Sequence, residues 1–257
     1  MKKYRLFFTL LFVGLAQSPV FGEVSLNRTR LIVTESSKEA SVQVINEGKY
    51  PVLIQSWIDL GENNLAPESI VAPFLVTVPM FRLEPKGARL LRILLIDRTD
   101  QLPANKESVF WLNVQEIPPN IAPDPSASLG KEERYVQIAF RTWIKLFYRP
   151  QKVAANQTLF HQQLRFALVE QNGERFLQVQ NPTPIHITLP QIALGADREH
   201  PVVTLNPPDG MVRPQSTRLF PLPDTRALSE KEPVYYQFID DYGQSVEGQQ
   251  ALGNAAN

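Results

Sequence analysis

The sequence predicts an all-β protein made of two immunoglobulin-like sandwiches. Three observations carry this. Twenty-two prolines stand among frequent Val, Ile, Phe and Thr. Apolar residues recur at period two in short runs, and no long stretch repeats at 3.6. The length left after an N-terminal leader, about 235 residues, exceeds one usual domain and suits two of about 100 to 130 residues each.

The leader comes first. Met1-Lys2-Lys3-Tyr4-Arg5 is basic, residues 6–16 are apolar, and Val20-Phe21-Gly22 supplies the β-branched and small residues that a signal peptidase reads. Residues 1–22 therefore read as a cleaved secretory signal peptide, and the remainder as exported and soluble. The apolar run is short for a membrane span, and no later stretch approaches about eighteen apolar residues, so no membrane insertion is expected. The chain has no cysteine, which removes disulfide and thiol chemistry. Twenty-six basic residues against 26 acidic ones give no large uniform field and no reason to expect nucleic acid as a partner.

The first sandwich is placed at 23–149, with strands near 24–33, 40–46, 51–58, 74–78, 89–96, 107–116 and 135–147. Seven strands is an immunoglobulin-like count. Glu84-Pro85-Lys86-Gly87 has Pro second and Gly fourth, as a type I turn prefers. Pro118-Pro119 closes the sixth strand because neither residue can donate a ladder hydrogen bond. The second sandwich is placed at 150–247. It opens with a hairpin about Asn172-Gly173, flanked by alternating runs at 166–171 and 174–179. Further strands are read near 185–194, 201–205, 216–220 and 233–239. Residues 248–257 are small and polar and read as a disordered tail.

The seventh strand is unusual. Val136, Ile138 and Phe140 project to one side at period two, and Tyr135, Gln137, Ala139 and Arg141 to the other. The pattern runs about twice the usual five or six residues, so part of it is expected to serve a partner; left open, such an edge invites aggregation. Lys145 has the opposite parity to Ile138 and Phe140, and so is free to face elsewhere. On residue type alone a cation at a strand end is an ordinary solvated charge, and an apolar alternation is ordinary core.

Catalysis is not expected. His161, His186 and His200 are the only histidines, and none has metal-ligand spacing or a neighbouring nucleophile motif. Twelve dispersed glycines form no phosphate loop. No cofactor and no metal are expected.

Six blocks resemble those of the PapD-like periplasmic pilus chaperones, in the family's order. They are Leu26-Asn27-Arg28-Thr29-Arg30, Phe81-Arg82-Leu83-Glu84-Pro85, residues 107–119 from Glu107 to Pro119, residues 144–150 from Ile144 to Pro150, Asn181-Pro182-Thr183-Pro184 and Asp241-Tyr242-Gly243. The resemblance implies a boomerang of two sandwiches with an interdomain cleft. It also implies a periplasmic chaperone that lends a strand to a pilus or fimbrial subunit, caps it, and delivers it to an outer-membrane usher. Carried onto this chain, it makes Arg30 and Lys145 the anchor for the subunit's terminal carboxylate, and Val136, Ile138 and Phe140 the groove-filling residues. It makes Glu107, Arg149 and Asp241 an interdomain ion cluster. A capping homodimer is the expected state of the free protein. The loop 120–133 is longer than short-loop members carry. Long-loop members serve thin fibres and bear a cysteine pair there, which this chain lacks, so a rod-type or fimbrial organelle is the expectation. The alternative is an exported two-domain binding module or adhesin.

Overall fold

The computed structural model describes residues 24–61, 72–96, 102–119, 138–153, 157–223 and 232–253. The leader, Val136 and the loop 120–133 lie outside these residues.

The described chain is all-β and forms two sandwiches. In the first, β1 (Val24–Leu26), β3 (Glu39–Asn46), β7 (Ala88–Leu95) and β5 (Phe74–Val76) form one sheet, in the order β1-β3-β7-β5. The facing sheet has the order β2-β9-β8-β4-β6, from β2 (Arg30–Thr34), β4 (Val52–Asp59), β6 (Met80–Leu83), β8 (Ser108–Ile117) and β9 (Arg141–Arg149). The strand read as continuous over 24–33 is in fact broken. β1 pairs antiparallel with β3, whereas β2 pairs parallel with β9 in the other sheet. At the crossing the Asn27 side chain accepts the Gln43 N–H at 2.8 Å, so a side-chain oxygen replaces a ladder partner. Between the sheets Leu31, Val33, Val44, Ile54, Leu91, Ile93, Leu112 and Leu146 are essentially without solvent contact. These alternate positions are the inward face of each strand.

Two local expectations are corrected. Lys86 has φ 59°, which belongs to a type II turn and not to type I. The last strand of this sandwich, read over 135–147, is described as β9 from Arg141: residues 138–140 belong to no strand, and 135–137 lie outside the described residues. The β8–β9 ladder closes at Gln115↔Arg141, and Pro118-Pro119 follows immediately after β8. Among the described residues a further bond continues the line, from Glu116 N–H to the Phe140 carbonyl at 2.9 Å.

After two 3-10 segments, Gln151–Val153 and Gln157–Gln163, the second sandwich opens with β10 (Arg165–Gln171) and β11 (Glu174–Asn181). Asn172 and Gly173 both have positive φ, 54° and 81°, as the two central residues of a type I′ hairpin require. β16 (Ser216–Pro221) completes that sheet. The stretch read as one strand at 185–194 divides into β12 (Ile187–Thr188) and β13 (Gln191–Leu194). β12 pairs with β15 (Met211–Val212). The other sheet has the order β14-β13-β17-β18, with β14 (Val203–Leu205), β17 (Pro233–Ile239) and β18 (Ser245–Ala251).

The tail is also corrected, since β18 carries the ladder through Ala251 and Gly253 N–H bonds Phe166 O at 2.8 Å. Gly248 fits there because a Cβ would sit 2.4 Å from the Tyr236 ring. A second apolar core, including Phe166, Leu177, Leu189, Ile192 and Val234, fills this sandwich.

Candidate functional site

β9 organises the region where the two sandwiches meet. Ile144, Leu146 and Tyr148 point into the first core, so strand alternation sends Arg141, Trp143, Lys145, Phe147 and Arg149 to the opposite face. The last of these, Arg149, is 2% exposed and reaches both sandwiches. Its Nε donates to Glu107 Oε1 at 2.9 Å. Its Nη1 and Nη2 donate to Asp241 Oδ2 and Oδ1 at 2.7 and 2.9 Å, a bidentate fork. Burial opposes the guanidinium's charge, but the bonds to Asp241 and the charge of Glu107 outweigh it and hold its pKa above the ordinary value. The structure thus brings Glu107, Arg149 and Asp241 together.

It adds a fourth member, His186. The His186 backbone N–H donates to Glu107 Oε2 at 2.8 Å, and its Nδ1 lies 2.9 Å from the same oxygen. This histidine is buried and hydrogen-bonded, a satisfied residue and not a surface one.

Arg30 and Lys145 are direct register partners at the first rung of the β2–β9 ladder. Arg30 is 7% exposed, lies over the Phe147 ring at 5.6 Å, and donates Nη1 to the Ile239 carbonyl at 3.0 Å. Among the described residues no carboxylate lies within ion-pair distance of it. Burial lowers its pKa, while the more distant Asp241, Glu107 and Asp240 act the other way. Lys145 Nζ meets Asp209 Oδ1 at 3.1 Å and lies 5.4 Å from the centre of the Trp111 ring. Burial likewise lowers the Lys145 pKa, and Asp209 partly restores it. A cavity of about 390 Å³ opens beside Arg30, walled by Phe147, His161, Phe238, Tyr242 and the Arg149 cluster.

The β2–β9 ladder begins at Lys145, so among the described residues the β2 side of 141–144 has no strand beside it. Below it, Ile138 is 56% exposed and Phe140 37% exposed, although both share the parity of the core-facing residues. Trp143, which the sequence did not single out, is 50% exposed, with the Arg141 guanidinium 5.1 Å from its ring centre. Among the described residues no cluster of three or more metal-ligating side chains occurs, and no helix is long and apolar enough to cross a membrane.

Comparison with known proteins agrees over nearly the whole described chain. The family described as pili and flagellar-assembly chaperone, PapD N-terminal domain, matches residues 23–154. Pili assembly chaperone PapD, C-terminal domain, matches residues 160–250. The probable fimbrial chaperone YadV of Escherichia coli (strain K12) is 31% identical over 235 residues, covering 91% of this chain and 92% of that protein. The crystal structure of the Pseudomonas aeruginosa CupB2 chaperone superposes with a TM-score of 0.70 at 31% identity, covering 89% of this chain and 100% of that one. A complex of the Salmonella enterica SafA pilin with the SafB chaperone gives 0.69 at 26% identity, covering 91% of this chain and 98% of the matched chain.

Proposed function

The chain belongs to the PapD family of pilus-assembly chaperones, a non-enzymatic family, and from that premise we propose how it holds a subunit. It is a periplasmic chaperone of pilus or fimbrial subunits, and the family assignment sets the adhesin alternative aside. The observation that carries the mechanism is the coincidence of two boundaries on β9. The open edge over 141–144 ends at the rung where Arg30 meets Lys145.

A guest strand laid on that edge takes the line that β2 occupies further along. If its terminal carboxylate ends beside Arg30 and Lys145, it runs in the direction of β9, parallel to it, and β2 continues its line. At about 3.3 Å per residue, a guest matching 138–144 spans about 23 Å. Charge-assisted hydrogen bonds to the two cations contribute about 1.5 to 3 kcal/mol apiece. Burying Ile138 and Phe140, with Val136 beyond them, contributes about 1.5 to 3 kcal/mol each. A slip of one residue loses the anchor and turns the guest's apolar side chains to the wrong face, so the anchor sets the register. Arg149 with Glu107 and Asp241 fixes the angle between the sandwiches, and so the width of the cleft.

The test is co-expression with the cognate subunit and recovery of the periplasmic complex. Arg30→Ala and Lys145→Ala are each expected to abolish recovery while circular dichroism and melting stay native-like. Undiminished recovery with either variant refutes the anchor. Removal of residues 1–22, a division of the mature chain near 149, and delivery to an outer-membrane usher complete the proposal. An exported protein beginning elsewhere than Glu23, or a chaperone–subunit complex that ignores a purified usher, removes the corresponding part.

A further inference from the structure

The ammonium of Lys145 already holds a carboxylate, and that carboxylate comes from the second sandwich. Asp209 lies in the loop Asn206-Pro207-Pro208-Asp209-Gly210, between β14 and β15. Two prolines fix φ along this loop. Its last residue must be glycine, because a Cβ at Gly210 would stand 1.9 Å from the Leu189 carbonyl oxygen. The loop is then pinned by the Leu189 N–H bond to Gly210 O at 2.9 Å. Asp209 Oδ1 accepts the Met211 N–H at 3.3 Å, and Oδ2 accepts Arg218 Nη1 at 3.2 Å. The same Arg218 nitrogen is tied to Met211 O at 2.7 Å. The second sandwich alone therefore orients this carboxylate, and only then does Oδ1 meet Lys145 Nζ at 3.1 Å. The lysine side chain is 13% exposed and that of Asp209 51%, so the carboxylate has a route back to water.

We propose that Asp209 is a positioning residue for subunit capture: in the empty cleft its carboxylate stands at Lys145 where the subunit's terminal carboxylate will stand, and on binding it withdraws onto Arg218. This rests on the anchor reading given above. The exchange leaves no charge stranded, because Asp209 keeps Arg218 and water while Lys145 trades one carboxylate for another. A ligand with no carboxylate has nothing to offer in the exchange. Asp209 thus partly offsets the burial that lowers the Lys145 pKa in the empty cleft, and acts as a mild competitor when the subunit's carboxylate arrives.

The experiment uses the full-length protein and a labelled synthetic peptide of the carboxyl-terminal strand of the subunit that co-purifies with it, with either a free or an amidated end. Asp209→Asn is expected to tighten binding of the free-carboxylate peptide about two- to five-fold at low ionic strength, the range for losing a half-exposed competing pair. The gain should fade toward about 1 M salt. The amidated peptide should bind both proteins alike, and Asp209→Glu should restore the wild-type affinity. Arg218→Ala, which leaves Asp209 wholly to Lys145, should weaken the free-carboxylate peptide. Unchanged or weaker binding by Asp209→Asn overturns the proposal, as does unaltered binding by Arg218→Ala. If wild-type protein binds the two peptides equally, the anchor itself is wrong and the role of Asp209 falls with it. If amidation weakens binding but Asp209→Asn changes nothing, the anchor stands and only Asp209 is refuted.

Discussion

Replacing Arg149 with alanine removes a guanidinium that is 2% exposed and ties a carboxylate from each sandwich. Taking one partner from a buried ion pair costs about 3 to 5 kcal/mol, mostly the penalty of the charge left behind. The two carboxylates differ in what they lose. Asp241, with a side chain 32% exposed, can rehydrate, whereas Glu107, at 1%, cannot. Glu107 keeps two contacts with His186, so the loss falls at the lower end, about 3 kcal/mol, or about 6 to 12 °C in melting temperature for a chain of this size. Glu107→Gln combined with Arg149→Met removes both charges and should lose less than the single variant. The assay is urea unfolding followed by two signals. Trp57, Trp111 and Trp143 are the chain's three tryptophans and all lie in the first sandwich, so fluorescence reports that half, while far-ultraviolet circular dichroism reports both. In Arg149→Ala the two transitions should separate, because the buried Arg149–Asp241 fork between the halves is gone and the contacts that remain are fewer. Subunit recovery should fall less than stability does. A variant within about 0.5 kcal/mol of wild type, with coincident transitions, refutes a structural role for this cluster.

Two other predictions concern the edge and alkaline pH. Ile138→Asp and Phe140→Asp should each cut subunit recovery without changing the melting temperature, since both side chains are already exposed in the free protein. They should also abolish the concentration-dependent self-association expected of wild type in light scattering. A strictly monomeric wild type discards the capping homodimer, and full recovery with either variant discards the lent strand. Tyr236, whose hydroxyl donates to the His161 carbonyl at 3.0 Å, has its pKa raised by burial to about 12. A raised pKa means the protonated form is favoured by folding, so its contribution is complete below about pH 10 and is lost as pH rises toward 12. Stability measured from pH 9 to 12 should fall more steeply for wild type than for Tyr236→Phe, and parallel curves would refute the assignment.

What was legible in the sequence was information the chain carries locally. Asn172-Gly173 defines its hairpin because two positive φ values in succession suit few other residue pairs. Pro118-Pro119 ends β8 because a missing donor needs no context. What was lost depended on neighbours. Ser245–Ala251 is too polar to look like a strand, and its pairing is imposed by β17. Met211–Val212 is too short to show a period. The β8–β9 ladder closes at Gln115↔Arg141, two residues before β8 ends, and a reading of residues 135–147 alone does not contain that pairing. The site divides the same way. Arg30, Lys145 and the Arg149 cluster were reached through blocks that resemble a family, while Asp209 and His186 were missed. These two meet their partners across 64 and 79 residues of sequence, and an Asp-Gly after two prolines reads first as a turn.

Three basic side chains stand on or beside β9 where the sandwiches meet, and their counter-ions differ in a way that composition cannot show. Arg149 has two carboxylates, Lys145 has one that it shares with Arg218, and among the described residues Arg30 has none. Burial disfavours charge on all three, yet only in Arg149 do its partners outweigh that effect. A buried cation whose charge is answered within the molecule gains nothing further from a ligand's carboxylate. One left with a single backbone carbonyl, as Arg30 is, still carries a desolvation cost that an arriving carboxylate removes. The same chemistry therefore makes Arg149 a fastener and Arg30 a receptor, with Lys145 between them and Asp209 setting how readily it changes partner. On this ordering, loss of Arg30 should hurt binding and spare the fold, and loss of Arg149 should do the reverse. If the two variants showed the same balance of stability and subunit recovery, counter-ion number would not be what separates their roles.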